Sequence, residues 1–306
     1  PETHPLGAQM AVFKANGIEI DAEAFGEETG VPLLLIRGLG TQRTAWPDAF
    51  LAGLVERGHR VITFDNRDVG LSTKFQEAGS IDIGEAMGRA SRGDPLDPPY
   101  SIHDMALDVV GLLDALEVET AHVAGISMGG MIAQLLAARH GERVRSLTSI
   151  MSSSGAAGLP GPTPEAAAAL MSRPQDPDDR ESVIRHSVET EKVFWSPGYP
   201  PGDAYLRAAA ERAYDRCYCP DGVSRQMLAV LTGGERAELL KTIRVPTLVI
   251  HGVDDPLIPV EAGMDTARRI PGAELRLIPG MGHDVAPGLI PTLVEAIAEH
   301  TAAAER

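Results

Sequence analysis

The sequence predicts an α/β protein: a mostly parallel central sheet flanked by helices, with one helical insertion. Three observations carry this. Apolar runs of four to six residues recur along the chain, most of them closed by Gly, Pro or Asp, the pattern of strands buried on both faces. Stretches with apolar residues at helical spacing alternate with them, as a parallel sheet covered by helices requires. Between Gly155 and Leu239 the alternation stops, and only helical pieces remain.

In chain order, the first buried strand is Val31–Ile36, ending at Gly38, and the second is Val61–Phe64, ending at Asp65. Residues 75–100 form an irregular excursion rich in Gly, Pro and Asp. Ser101-Ile-His-Asp104 has the form of a capping box. It opens a helix whose apolar residues Met105, Val109, Leu112, Leu113 and Leu116 repeat at helical spacing. Ala121–Ala124 is the next strand, ending at Gly125, and a helix follows over Met128–Arg139. Ser146–Ile150 runs into a serine cluster. Helical pieces are predicted near Glu165–Met171, Arg180–Lys192, Asp203–Tyr214 and Gly222–Leu231, separated by joints such as Ser196-Pro-Gly-Tyr-Pro-Pro-Gly202. Strands Thr247–Ile250 and Leu275–Ile278 and a last helix over Leu289–Ile297 complete the chain.

Composition narrows the function. Lys and Arg number 27 against 43 Asp and Glu, a net charge of −16, and such a surface repels a phosphate backbone, so no nucleic-acid partner is expected. The apolar runs are too short to cross a bilayer. The opening residues PETHPLGAQM lack the basic start and apolar stretch of a signal peptide. Cys217 and Cys219 stand too close for an easy disulfide and have no metal-ligand spacing. These features lead us to expect a reducing, cytoplasmic setting. Self-association through edge strands or the insertion is left open.

The sharpest chemical signal is Gly125-Ile-Ser127-Met-Gly129-Gly130, between an apolar strand and an apolar helix. A G-x-S-x-G turn in that context projects a nucleophilic serine from the C-terminal end of the sheet. A serine needs a base, and the base needs an orienting acid. Both follow later strands. Asp255 lies in His251-Gly-Val-Asp-Asp-Pro256, with Asp254 as the rival one residue away, and His283 lies in Pro279-Gly-Met-Gly-His283-Asp284. Oxyanion donors are expected from the backbone N–H groups of Met128 and of Leu39, the latter in Arg37-Gly-Leu-Gly40. Gly38-Leu-Gly40 lacks the further glycine and acid of a dinucleotide loop. The remaining histidines, His4, His59, His103, His122, His140, His186, His251 and His300, show no metal spacing. His122 reads as structural, and His251 as packing beneath the acid's loop. No metal or organic cofactor is expected.

Over nearly its whole length the chain resembles the α/β-hydrolases, through RGLG, FDNRDVGLS, GISMGG, HGVDDPLIP and PGMGHD in that order. More narrowly it resembles the aclacinomycin methylesterase-like branch, which contains carboxylesterases and methylesterases of polyketide-derived substrates. The resemblance implies a Ser127–Asp255–His283 triad, oxyanion donors at Leu39 and Met128, and no cofactor. It divides the chain into a core, 1–154 and 240–306, and a cap, 155–239. Aromatic cap residues Phe194, Trp195 and Tyr199 are expected at the substrate pocket, with Tyr205, Tyr214, Met171 and Met227 as further wall. Arg37 departs from the His that many relatives carry there. Asp65, Arg67 and Asp68 are expected to tie a turn together. The expected activity is serine carboxylesterase on small to medium esters. A methylesterase of polyketide-type natural products, carbon–carbon hydrolysis, cofactor-free perhydrolysis and a ligand-binding receptor are the alternatives.

Overall fold

Among the residues described by the computed structural model, 9–234 and 236–306, eight strands form one sheet. The opening residues read for a leader, and His4, lie outside this range. In chain order the elements are β1 (Gln9–Ala15), β2 (Ile18–Phe25), β3 (Val31–Ile36), α1 (Asp48–Val55), β4 (His59–Phe64), α2 (Ile83–Ser91), α3 (Ile102–Ala115), β5 (Ala121–Ile126), α4 (Met128–Arg139) and β6 (Val144–Ile150). Then come α5 (Pro164–Met171), α6 (Arg180–Phe194), α7 (Asp203–Arg216), α8 (Pro220–Thr232), α9 (Ala237–Leu240), β7 (Thr247–Gly252), α10 (Val260–Arg269), β8 (Glu274–Ile278) and α11 (Ile290–Ala304). The sheet order is β1-β2-β4-β3-β5-β6-β7-β8. Only β2 runs against its neighbours.

Alternation along the central strands builds two cores. Leu34 and Ile36 of β3 pack on one face with α3 and α4, while Leu33 and Leu35 pack on the other with α1 and α11. Each face is therefore sealed, and every parallel strand delivers its C-terminal loop to the same edge. The capping box on α3 is present, with Ser101 and Asp104 satisfying each other's backbone N–H.

The sequence pattern left β1, β2, α1, α2, α9 and α10 unread. The hairpin signal was there: Asn16 and Gly17, at φ 49° and 79°, make the two-residue turn from β1 to β2. The strand signal was not, because inward positions of β2 carry Asp21 and Glu23 instead of apolar residues. Arg43 pairs with both, and Arg216 of α7 reaches Asp21 at 2.6 Å and Asp65 at 2.8 Å. The insertion leaves the sheet after β6 and returns before β7, two hydrogen-bonded neighbours. Its helices α5–α8 end at Thr232, and α9 already packs in the core through Leu240.

At the N-terminal ends of the strands, His59, His122 and His300 are buried together with α11. His59 Nε2 lies 2.9 Å from Thr301 Oγ1, and the His59 and His122 rings meet edge-on at 6.4 Å. Burial pushes all three below the ordinary imidazole value, His122 to about 4. Between those depressed values and the unfolded value near 6.5, the unfolded chain binds more protons than the folded one. Stability conferred by this seam is thus complete above about pH 6.5 and is lost as pH falls toward 4. We expect the thermal midpoint to fall between pH 7 and pH 4.5, and the fall to be shallower in His122→Gln. Identical slopes for both proteins would remove this seam as the cause.

Candidate active site

Ser127 caps α4 at φ 55° and ψ −122°, a left-handed backbone that a non-glycine residue adopts only under constraint. The constraint is visible around it. The Ser127 N–H donates to Ile150 O at 3.0 Å, and a Cβ on Gly129 would lie 2.2 Å from Ile36 O. The glycines therefore let the turn press against β3, and the serine side chain stands at the strand ends, half-buried.

His283 Nε2 lies 3.0 Å from Ser127 Oγ, and His283 Nδ1 lies 2.7 Å from Asp255 Oδ2. The other Asp255 oxygen accepts the N–H groups of Leu257 and Ile258, both at 2.9 Å. Burial opposes ionisation of Asp255, but His283 and these amides outweigh it and hold the carboxyl below the usual carboxylate range. Asp254, the register rival, points elsewhere: its Oδ2 accepts the Gly280 N–H at 2.7 Å and shapes the histidine's loop. His251 is fully buried under the acid's loop, with Nε2 2.7 Å from Ile258 O, and burial lowers its pKa.

The loop after β3 passes directly over the serine. A Cβ on Gly38 would come 3.1 Å from Ser127 Cβ. Among the described residues, neither the Leu39 nor the Met128 N–H is spent on a protein acceptor, whereas the Gly40 N–H is given to Gln226 Oε1 at 2.8 Å. Met128 opens α4, so its free N–H sits at the positive end of the helix dipole. Arg37 stacks over Trp46 at 4.7 Å and directs Nε to Thr41 Oγ1 at 3.4 Å. Burial lowers its pKa to about 10.

The segment between α6 and α7 is stitched to the histidine's loop. The His283 N–H donates to Phe194 O at 2.7 Å, the Gly198 N–H to Gly280 O at 2.9 Å, and the Gly282 N–H to Ser196 Oγ at 2.9 Å. The Ser196 hydroxyl donates in turn to Asp284. Burial raises the pKa of Asp284. Sequence reading missed Ser196 and Gln226. Neither belongs to a motif, and both act on backbone groups far away in the chain.

A cavity of about 880 Å³ lies between the insertion and the core; Gly40 of the loop after β3 lines it, whereas Ser127, His283, Asp255, Leu39 and Met128 do not. Here the aromatic set expected at the pocket divides. Phe194 lines the cavity, together with Met171, Tyr214 and Met227. Trp195 and Tyr199 do not line this cavity; Tyr199 lies against Gly280 and Gly288, and the backbone carbonyl of Trp195 packs on Gly282. Ile81, and Ile83 at the start of α2, within the stretch read as irregular, also line the cavity. The free thiols Cys217 and Cys219 also face it. Among the described residues no group of three or more His, Cys, Asp or Glu is arranged to hold a metal ion, and no helix is long and apolar enough to cross a membrane.

A family model described as the alpha/beta hydrolase fold matches residues 31–286. The chain is 29% identical to Rhodomycin D methylesterase DnrP of Streptomyces peucetius, over 92% of this chain and 95% of that one. It is 28% identical to a putative carbamate hydrolase RutD of Variovorax paradoxus, over 85% of this chain and 88% of that one. Among solved structures, the enol-lactonase from Burkholderia xenovorans LB400 shares the fold with a TM-score of 0.72 at 21% identity, covering 95% of this chain and 100% of the other.

Proposed function

The chain belongs to the α/β-hydrolase family, and from that premise we propose that it is a serine carboxylesterase working through an acyl-enzyme. The observation that carries the reading is the unbroken series from Asp255 through His283 to Ser127, at 2.7 and 3.0 Å. His283 Nε2 takes the proton of Ser127 as Oγ attacks the ester carbonyl. The oxyanion develops toward the N–H groups of Leu39 and Met128. His283 then protonates the departing alcohol, and water activated by the same nitrogen releases the acid. Asp255 fixes the imidazole tautomer and stabilises its charged form. No step calls for a metal or organic cofactor. The insertion acts as the cap, and the acyl or ring portion of the substrate enters the cavity it covers.

We expect the purified protein to hydrolyse p-nitrophenyl esters and a serine-directed phosphonate to attach to Ser127. A series from acetate to long acyl chains measures how much of the cavity is used. Failure of hydrolysis at every chain length, together with failure of labelling, would sink the proposal and leave a binding role.

A second reading is favoured by the cavity volume of about 880 Å³, near the upper end of the roughly 300–1,000 Å³ usual for small-molecule sites. Together with the likeness to Rhodomycin D methylesterase, it supports a methylesterase of bulky polyketide-type substrates. A methyl ester of a fused-ring carboxylic acid, compared with p-nitrophenyl acetate by kcat/KM, separates the two readings.

A further inference from the structure

We propose that Gln226, on cap helix α8, is a positioning residue for the oxyanion loop, so that the cap supplies part of the frame for the chemistry below it. This rests on the serine-hydrolase reading above. The Gln226 side chain is fully buried. Its Oε1 accepts the Gly40 N–H at 2.8 Å and its Nε2 donates to Arg67 O at 2.7 Å. One end meets an N–H and the other a carbonyl, so the amide has a single satisfying orientation.

The loop holds two successive peptide planes. The Gly38–Leu39 plane carries the proposed donor N–H, and its carbonyl accepts from Thr41 N–H at 3.4 Å and Thr41 Oγ1 at 3.0 Å. The Leu39–Gly40 plane is held by Gln226. Gly40 sits at φ 66°, so this plane has little side-chain resistance to rotation. Freed from Gln226, it can turn, and the loop that carries the Leu39 N–H then keeps only its Thr41 anchor. A donor that must find its orientation during the reaction stabilises the oxyanion less than one already fixed.

The clamp is itself immobilised. Arg225 gives two hydrogen bonds to Asp68, at 2.7 and 2.8 Å, and one to Gly79 O at 2.6 Å. Ser224 Oγ accepts the Ile81 N–H at 3.0 Å. A Cβ on Gly222 would lie 2.0 Å from Asp68 O, so the first turn of α8 rests on the backbone of the loop after β4. Helix α8 is thus bolted to the core beside the loop that it holds.

The test compares wild type with Gln226→Leu and Gln226→Glu. A buried, protonated glutamic acid keeps an acceptor for Gly40 and a donor for Arg67 O. In Gln226→Leu we expect kcat for a p-nitrophenyl ester to fall about 10- to 100-fold with KM nearly unchanged. A trifluoromethyl ketone, which forms an oxyanion adduct, should lose affinity by the same factor. The carboxylic acid product should inhibit as before. Exchange of the Gly40 amide with deuterium should accelerate, and Gln226→Glu should recover part of each loss. A folded Gln226→Leu with unchanged kcat and ketone affinity overturns the proposal. Parallel losses of both affinities and of thermal stability also overturn it, because they indicate a packing role. A wild type inert to ester and phosphonate overturns the underlying reading, while Gly40 exchange still reports whether the clamp exists.

Discussion

Ser127→Ala is expected to fold normally and to lose about 10⁶-fold in kcat, the scale found when a triad serine is removed. The loss is large because the three side chains act as a unit. Without Oγ, His283 Nε2 has no nucleophile at 3.0 Å to deprotonate, while Asp255 continues to orient the ring. Residual turnover is expected to reflect binding and the oxyanion donors alone. The same position offers a second readout. Ser127 holds φ 55° and ψ −122°, and such a backbone costs on the order of 1–3 kcal/mol for a residue with a Cβ. Alanine keeps that cost and glycine removes it. Ser127→Gly should therefore melt above Ser127→Ala while being equally inactive. Wild-type turnover in either variant would falsify the proposed mechanism. Equal melting points would show that the turn is not strained by its side chain.

Arg225→Met is expected to destabilise the protein by about 3–5 kcal/mol, the usual cost of breaking a buried ion pair by removing one partner. Arg225 is 1% exposed and Asp68 is fully buried. Asp68 accepts from Arg225 through both oxygens, from the Phe75 N–H at 2.8 Å and from the Tyr100 hydroxyl at 2.7 Å. Removing the guanidinium leaves the carboxylate with two neutral donors and no counter-charge. Out of a total stability of about 5–15 kcal/mol, that is a large fraction. Asp68→Asn/Arg225→Met should regain much of the loss, since the double variant buries no unpaired charge. Asparagine also tolerates the φ of 69° at this position. Urea unfolding measures both variants. A single-variant loss below about 1 kcal/mol would mean that the pair is not what fastens α8 to the core.

Legibility followed the physics that forms each element. Strands buried on both faces announce themselves as apolar runs, so β3, β5 and β7 could be read directly. The nucleophile turn was legible because steric demands at Gly125 and Gly129 leave a compact motif in sequence. Strand β2 was hidden because buried Asp21 and Glu23 are compensated by Arg43, which lies in a loop well after them. The acid and base could be placed by the strands they follow, since a parallel sheet sends those loops to one edge. Asp255 over Asp254 was a one-residue choice, and the deciding fact is the direction in which each carboxylate points. Gln226 and Ser196 were illegible for a different reason. Each satisfies backbone amides of a distant loop, and an amide leaves no trace of its partner in residue identity. Tyr199 was harder to place, because an aromatic residue that packs against glycines of the histidine's loop has the same sequence signature as one that faces a ligand.

The insertion departs from β6 and re-enters at β7, which are bonded side by side. In evolutionary terms this makes it a removable cassette, whose length and shape can change without altering the register of any strand. A transplant of the segment is nonetheless constrained at a few points. A donor cassette has to bring an amide side chain for Gly40, a cation for Asp68, a second cation for Asp21 and Asp65, and a hydroxyl for the histidine's loop. Chimaeras within the family should therefore tolerate exchange of the cavity-facing surfaces of α5–α7 more readily than exchange of α8, and new specificities should arise by drift in the former while the latter stays fixed.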